Sequence, residues 1–432
     1  MAEHLVVEGG TTLEGTVKVQ GSKNGALPLI AATLLSDGRC TLSNVPDLKD
    51  IRTLIEILGE LGMKVDRRGP NTFSMSAEDE TKSTARYELV SQMRASIYVL
   101  APLLAKRGYA KVSLPGGCVI GLRPIDLHLK GLRALGAEIE LDHGYVVARA
   151  PGGRLKGGRV FLGGPFGSSV GATANTLMAA SLADGKSVIE GAACEPEVVE
   201  LAHFLNRMGA TITGIGTPRL VVTGVPTLGG ARQAVIPDRI EAGTYMAAAA
   251  ITGGDVTLED VRLEHLGAVV DTFEKLGVEI EEIDEETIRV FRRGPIKPVR
   301  VTTLTYPGYP TDLQAQLVSL LTIGQGISVL TEKIYPDRFM HLAELQRMGA
   351  EVMKEGASAV ITGVERLKGT DVMASDLRAG AALVLAGLVA EGTTRVHRLY
   401  HVDRGYECIE AKLNSLGAKI HRVKDAAATK AA

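Results

Sequence analysis

The densest run of chemically capable side chains is Pro115-Gly116-Gly117-Cys118-Val119-Ile120-Gly121-Leu122-Arg123-Pro124-Ile125-Asp126-Leu127-His128. A thiol set among glycines suits a mobile lid. Arg123, five residues on, could polarise a phosphate while lowering the pKa of the Cys118 thiol. A buried structural thiol is the competing reading of the same residue. Further along, cationic, polar and acidic residues gather where helices are expected to start: Ser22-Lys23-Asn24-Gly25, Gln92-Met93-Arg94-Ala95, Ser168-Ser169-Val170-Gly171, Asp238-Arg239-Ile240-Glu241, Thr311-Asp312-Leu313 and Ser375-Asp376-Leu377-Arg378. Ser, Thr and Asp are ordinary N-caps at such points. Lys23, Arg94 and Arg378 are not, because a cation there opposes the helix dipole and needs another reason for its place.

These openings belong to a repeated frame. A phrase of Leu or Met, then Gly, a small or apolar residue, one variable residue and Ile or Val begins at Leu61, Leu135, Met208, Leu276, Met348 and Leu416. An amphipathic helix precedes it. Ile51, Leu54, Ile55, Leu58 and Leu61 have the spacing of Val198, Leu201, Ala202, Leu205 and Met208, and of Leu266, Val269, Val270, Phe273 and Leu276. The glycine is predicted to end each helix in the left-handed conformation, and the β-branched residue to open a strand. Leu5-Val6-Val7-x-Gly-x-x-Thr-Leu-x-Gly closely matches the phrase starting at Leu220, which pairs the chain start with the start of the second half. The expectation is an α/β chain of six strand-strand-helix-strand-helix-strand units, three per domain: 22–236 for the first domain, 1–21 with 237–423 for the second, and 424–432 as a flexible tail. Parallel helices in each domain would turn their N-termini, with free N–H groups and partial positive charge, toward one cleft.

Composition agrees with a local rather than a global anion site. With 432 residues and 45% apolar content the chain can bury large cores, and 48 basic against 50 acidic side chains leave a net charge of -2, no field for nucleic acid or anionic membrane. The start Met1-Ala2-Glu3-His4 lacks a basic n-region, and the longest apolar stretches are too short or too rich in Gly and Ala to cross a bilayer. A cytoplasmic protein with no membrane insertion is expected. Cys40, Cys118, Cys194 and Cys408 lie too far apart for a zinc site or a disulfide framework, and all but Cys118 are expected in the core. No spacing of His, Asp and Glu suits a metal, no cofactor is called for, and a monomer is the working expectation. A dinucleotide dehydrogenase is excluded because no G-x-G-x-x-G follows a first strand.

The Cys118 loop resembles the catalytic loop of the UDP-N-acetylglucosamine enolpyruvyl transferases. The likeness covers nearly the whole chain, in order and spacing: Ser22-Lys23-Asn24, Arg123 to Leu127, Ser169 to Thr173, Glu195-Pro196-Glu197, Pro237 to Glu241, Tyr309 to Asp312, Arg338 to His341, Asp376 to Arg378, and Asp403 to Tyr406. It implies an inside-out α/β barrel of two domains. It also implies transfer of the enolpyruvyl group of phosphoenolpyruvate to the 3'-hydroxyl of UDP-N-acetylglucosamine, the first committed step of peptidoglycan precursor synthesis. By the same likeness Cys118 is associated with proton donation at C3, with a phosphoenolpyruvate adduct and with alkylation by fosfomycin. Asp312 stands at the sugar hydroxyl as general base, where a helix N-terminus would keep its pKa low.

The resemblance further implies that Lys23, Arg123 and Arg404 clamp the phosphate, Arg338 and Arg378 lie near the carboxylate, and Asn24 meets the intermediate. Cys118, Asp312, Lys23 and Arg404 are thus the catalytic set. The nucleotide sugar falls to Arg94, Arg123, Pro124, Ile125, Asp126, Leu127, Ser169, Val170, Gly171, Asp312 and Ile334. Family members often carry a basic residue just before the Ser169 turn, where this chain has Gly167-Ser168, so backbone N–H groups would take more of the diphosphate. Glu195, Glu197 and Glu241 read as helix-start or hinge carboxylates, and His128 as a residue that orients the lid or pairs locally. Two rivals remain. One is the sister enzyme that uses shikimate 3-phosphate, which lacks the Pro-Gly-Gly-Cys lid and the Arg-Pro-Ile-Asp-Leu segment. The other is a non-catalytic paralogue that senses UDP-sugar.

Overall fold

The repeated glycines behave as their phrase predicts. In a computed structural model of the chain, which describes residues 3–114 and 125–424, Gly62, Gly136, Gly209, Gly277, Gly349 and Gly417 all have φ between 83° and 112°. Each ends a helix whose apolar stripe is buried. In Lys49–Glu60 that stripe is Ile51, Leu54, Ile57 and Leu58, with Leu61 at the C-cap, and in Pro196–Arg207 it is Val198, Leu201, Ala202, Phe204 and Leu205. The strands that follow, such as Met63–Gly69, Glu279–Asp284 and Lys419–Lys424, form the outer edge of their sheets.

Among the described residues six four-stranded sheets share one pattern: a parallel pair at one edge, then two antiparallel neighbours. The parallel pairs are Arg232–Ala234 with Cys40–Ser43, Thr84–Ala85 with Tyr109–Ser113, and Arg159–Phe161 with Lys186–Glu190. The others are Glu14–Lys18 with Asp255–Glu259, Arg300–Thr303 with Ile327–Glu332, and Asp371–Met373 with Thr393–His397. Beyond the C-terminal end of each first-named strand comes one of the polar helix openings.

The helices that follow those openings are buried on all sides along most of their length, as largely apolar helices must be. They are Lys23–Ala32, Leu100–Arg107 and Val170–Ser181 in one compact unit, and Arg239–Thr252, Gln314–Leu321 and Leu377–Val389 in the other. The last three pack on one another, helped by the small side chains Ala247 to Ala250. Described residues 21–114 with 125–236 make the first unit, and 3–20 with 237–424 the second, each with its own apolar core.

Four details differ from the sequence reading. Lys424 is no tail residue, since it ends the strand Lys419–Lys424 opposite Glu3. Arg94 opens a 3-10 turn, Arg94–Val99, that runs on into the α-helix. Thr311 likewise begins a 3-10 turn, Thr311–Leu313, rather than capping a helix. Cys408 is exposed and Cys194 only partly buried, so of these three cysteines Cys40 alone lies in the core. Burial raises the thiol pKa of all three. No described helix is long and apolar enough to cross a membrane.

Candidate active site

In the second unit the site is built around Asp312. The helix start Ser375-Asp376-Leu377-Arg378 is capped by Asp376, which accepts from the N–H groups of Arg378 at 2.8 Å and Ala379 at 3.0 Å. The cap fixes the Arg378 backbone, and its guanidinium reaches Asp312 Oδ2 from Nη2 at 3.3 Å. Arg338 donates from Nη1 to Asp312 Oδ1 at 2.8 Å and to the Thr311 carbonyl at 3.0 Å. Both arginines are buried, at 3% and 1% exposure, yet both hold raised pKa values. Burial alone would lower them. For Arg338 the carboxylates of Asp312 and Asp376 outweigh it, and for Arg378 Tyr406 and Asp312 do.

Gln316 ties this cluster down from below. The two N–H groups of its amide face three acceptors, the Asp312 carbonyl, the Tyr406 hydroxyl and Thr244 Oγ1, each 3.1 Å from the nitrogen, and the Arg378 guanidinium lies 5.3 Å from the centre of the Tyr406 ring. Among the described residues no hydrogen-bond partner lies within bonding geometry of the buried Arg378 Nη1. Arg404 ends the 3-10 turn Val402–Arg404, and Gly405 runs so close to Arg378 that an added Cβ would lie 3.4 Å from Nη1. The neighbouring Asp403 is held by Arg422 at 2.7 Å. Ile334 is half-buried in the turn after Ile327–Glu332.

In the first unit Ser22 caps Lys23–Ala32 by accepting from Gly25 N–H at 3.1 Å, so Lys23 and Asn24 occupy its first turn. Lys23 is buried and paired with Asp50 at 2.7 Å, which supplies the compensation that a cation at a helix N-terminus needs. Ser169 caps Val170–Ser181 through Ala172 N–H. Gly171 faces His128, since a Cβ there would meet the ring Cε1 at 2.8 Å and Nε2 at 2.9 Å. The Asn175 amide donates to His128 Nδ1 at 2.7 Å. Burial and the charge of Arg94 push the His128 pKa down to about 3, so the ring is neutral and Arg94 lies near it. Ile125, Asp126 and Leu127 open the helix Asp126–Ala134. Cys118, Arg123 and Pro124 lie outside the described residues.

Among known proteins, residues 7–413 match the family described as EPSP synthase (3-phosphoshikimate 1-carboxyvinyltransferase). The UDP-N-acetylglucosamine 1-carboxyvinyltransferase of Desulfosudis oleivorans is 52% identical over 421 residues, 98% of this chain and 99% of the relative. UDP-N-acetylglucosamine 1-carboxyvinyltransferase 2 of Carboxydothermus hydrogenoformans is 53% identical over 429 residues, again 98% of this chain and all of the relative. The chain belongs to the UDP-N-acetylglucosamine 1-carboxyvinyltransferase family. Solved enolpyruvyl transferases share the fold. NikO from Streptomyces tendae superposes with a TM-score of 0.87 at 24% identity over 98% of this chain and 99% of its own. EPSP synthase from Acinetobacter baumannii does so at 0.74 and 19%, over 98% of this chain and 100% of its own.

For this UDP-N-acetylglucosamine 1-carboxyvinyltransferase family member, the structure brings Asp312, Arg338 and Arg378 into one cluster with the Arg404 loop alongside. It sets Lys23 beside Asn24, and links Arg94 to the Ser169-Val170-Gly171 turn through His128. Sequence reasoning missed Asp50, Asn175, Gln316 and Glu332. One of them carried a signal: in Ile327–Glu332 the period-two alternation puts Glu332 on the same inward face as Ser328 and Leu330, where an acid is out of place.

Proposed function

We propose that the protein transfers the 1-carboxyvinyl group of phosphoenolpyruvate to the 3'-hydroxyl of UDP-N-acetylglucosamine, releasing phosphate. The observation that carries the reading is Asp312, gripped by Arg338 and Arg378, in a chain 52% identical over 98% of its length to an enzyme of that name. The fold we assign is a two-domain inside-out α/β barrel, supported by the shared pattern of the six sheets. Its domains are 22–236 and 1–21 with 237–424, three units in each.

The reaction is an addition followed by an elimination. C3 of phosphoenolpyruvate takes a proton, the sugar oxygen attacks C2 as its own proton leaves, and phosphate departs as C3 loses a proton. Asp312 accepts the hydroxyl proton in this reading. A carboxylate held by two guanidiniums is a weak base, so its contribution is largely the fixed position of its oxygens. Lys23, Arg123 and Arg404 receive the phosphate, and Arg338 and Arg378 the carboxylate, for which Nη1 of Arg378, without a hydrogen-bond partner among the described residues, is an available donor. Asn24 meets the intermediate, and Cys118 supplies the thiol near C3. Arg94, Arg123 to Leu127, Ser169 to Gly171 and Ile334 take the nucleotide sugar, with free N–H groups of Val170–Ser181 at the diphosphate.

Phosphate release from phosphoenolpyruvate, measured with UDP-N-acetylglucosamine, with shikimate 3-phosphate and with no acceptor, tests the proposal. Release should require the UDP-sugar and fall by about 100-fold or more in Asp312→Ala, the scale of a lost acid-base group. Binding of the UDP-sugar without release from any acceptor would sink the transfer reading in favour of a sensing protein.

A further inference from the structure

We propose that Glu332 is a positioning residue for the acceptor side of the site, holding Thr311 next to Asp312, and the Ile334 turn, in one arrangement. The inference rests on the reading of Asp312 and Ile334 as sugar contacts. Glu332 is fully buried at the end of Ile327–Glu332, and four donors converge on its carboxylate. Oε1 accepts from Thr303 Oγ1 at 2.6 Å, Ile334 N–H at 2.8 Å and Tyr335 N–H at 3.0 Å. Oε2 accepts from Thr311 Oγ1 at 2.9 Å.

A buried carboxylate is costly unless its oxygens are satisfied, and a single strand-end contact would not require one. Only the Thr303 bond serves the sheet, where Thr303 and Glu332 are parallel neighbours. The other three bonds go to segments that carry the proposed ligands. Thr311 in turn receives Arg338 Nη1 on both its carbonyl, at 3.0 Å, and its hydroxyl, at 3.2 Å, beside the 2.8 Å bond from that nitrogen to Asp312. Glu332 therefore sets Thr311, and Thr311 shares with Asp312 the donor that orients its carboxylate.

The two oxygens differ in what they hold, and that difference makes a mild variant informative. In Glu332→Gln the amide carbonyl can keep the three donors now on Oε1, which leaves its NH2 facing Thr311. The Thr311 hydroxyl then loses the acceptor of its proton and faces an N–H donor in its place. The Ile334 turn survives and the Thr311 link is disturbed. Thr311→Val removes the same link from the other side together with the 3.2 Å bond from Arg338, and Thr311→Ser retains the hydroxyl that makes both.

The experiment is calorimetric binding of UDP-N-acetylglucosamine to wild type, Glu332→Gln, Thr311→Val, Thr311→Ser and the Glu332→Gln/Thr311→Val double variant, with steady-state KM for both substrates and thermal midpoints. A lost hydrogen bond predicts Kd weaker by about ten-fold in Glu332→Gln and by at least as much in Thr311→Val, which loses two. The double variant should be no weaker than the worse single, because both break one link. Thr311→Ser should stay near wild type, and Glu332→Gln should raise KM for the UDP-sugar by a larger factor than KM for phosphoenolpyruvate, which feels the change only through Arg338. A merely structural role would lower the thermal midpoint without that split. Unchanged binding in both single variants, or a double effect equal to the product of the singles, overturns the proposal. Should wild type bind the UDP-sugar and release no phosphate, the transfer reading falls while the binding series still decides the role of Glu332. Absence of binding by wild type removes both.

Discussion

His128 shows how one side chain reports the packing of a whole helix start. The Asn175 amide donates to Nδ1, so a proton on that nitrogen would oppose the N–H already aimed at it. Burial and Arg94 add to the penalty and hold the pKa near 3, against 6.5 for the free side chain. The unfolded chain thus binds a proton that the folded chain refuses. Stability from this residue is complete above about pH 6.5 and is lost as pH falls toward 3, by at most about 1.4 kcal/mol per unit. His341 in the other unit, pushed down to about 4 chiefly by burial, acts with the same sign. Urea unfolding at pH 7.5 and pH 5 should show lower stability in acid, and His128→Gln should flatten part of that slope. An unaltered slope would assign the acid sensitivity to other groups. The sequence singled His128 out as a local pairing residue, and Lys23 and Arg378 as cations in need of a reason. It did not name Asn175, Asp50 or Asp312 as the partners, because each lies on an element far away in the chain and only packing brings it near.

At the level of elements, glycine and cap positions were the most legible part of the molecule. Six left-handed glycines and the caps Ser22, Ser169, Asp238 and Asp376 all follow from local backbone chemistry, which needs no tertiary information. The 3-10 turn at Thr311 was not legible, since a side chain from another strand helps to set it: the Thr311 hydroxyl leaves the cap position to reach Glu332. At Arg94 the Ser96 hydroxyl donates back to the Val90 and Met93 carbonyls, a local bond that the sequence reading passed over. Gly171 is a glycine of a different kind. It sits inside Val170–Ser181 with no positive φ to explain it, and the His128 ring is what excludes a side chain there. Gly171→Ala should therefore destabilise by about 1–3 kcal/mol, the usual cost of overpacking, despite the better helix propensity of alanine. Measured by thermal unfolding, the cost should shrink when His128 is also replaced by Ala. A cost that persists in full would mean that the ring is not the obstacle.

For the whole molecule the chain path makes the two units unequal. Residues 21–236 supply every strand of three sheets, including Arg232–Ala234, which returns to pair with Cys40–Ser43. The other unit borrows its first strands from the chain start. Glu3–Glu8 lies between Thr393–His397 and Lys419–Lys424 with Leu5 and Val7 fully buried, and Glu14–Lys18 covers the edge of Asp255–Glu259. Without residues 1–20 one sheet loses an interior strand and another loses its parallel edge, leaving unpaired backbone donors and acceptors beside an opened core. A fragment of residues 21–236 should therefore unfold cooperatively in urea on its own, having a complete apolar core. A fragment of residues 237–432 should show a broad transition with little near-ultraviolet circular dichroism, and adding a peptide of residues 1–21 should restore its cooperativity. Cooperative folding of 237–432 without the peptide would mean that the sheet closes over the gap, and that the N-terminal strands contribute to the edges more than to the core.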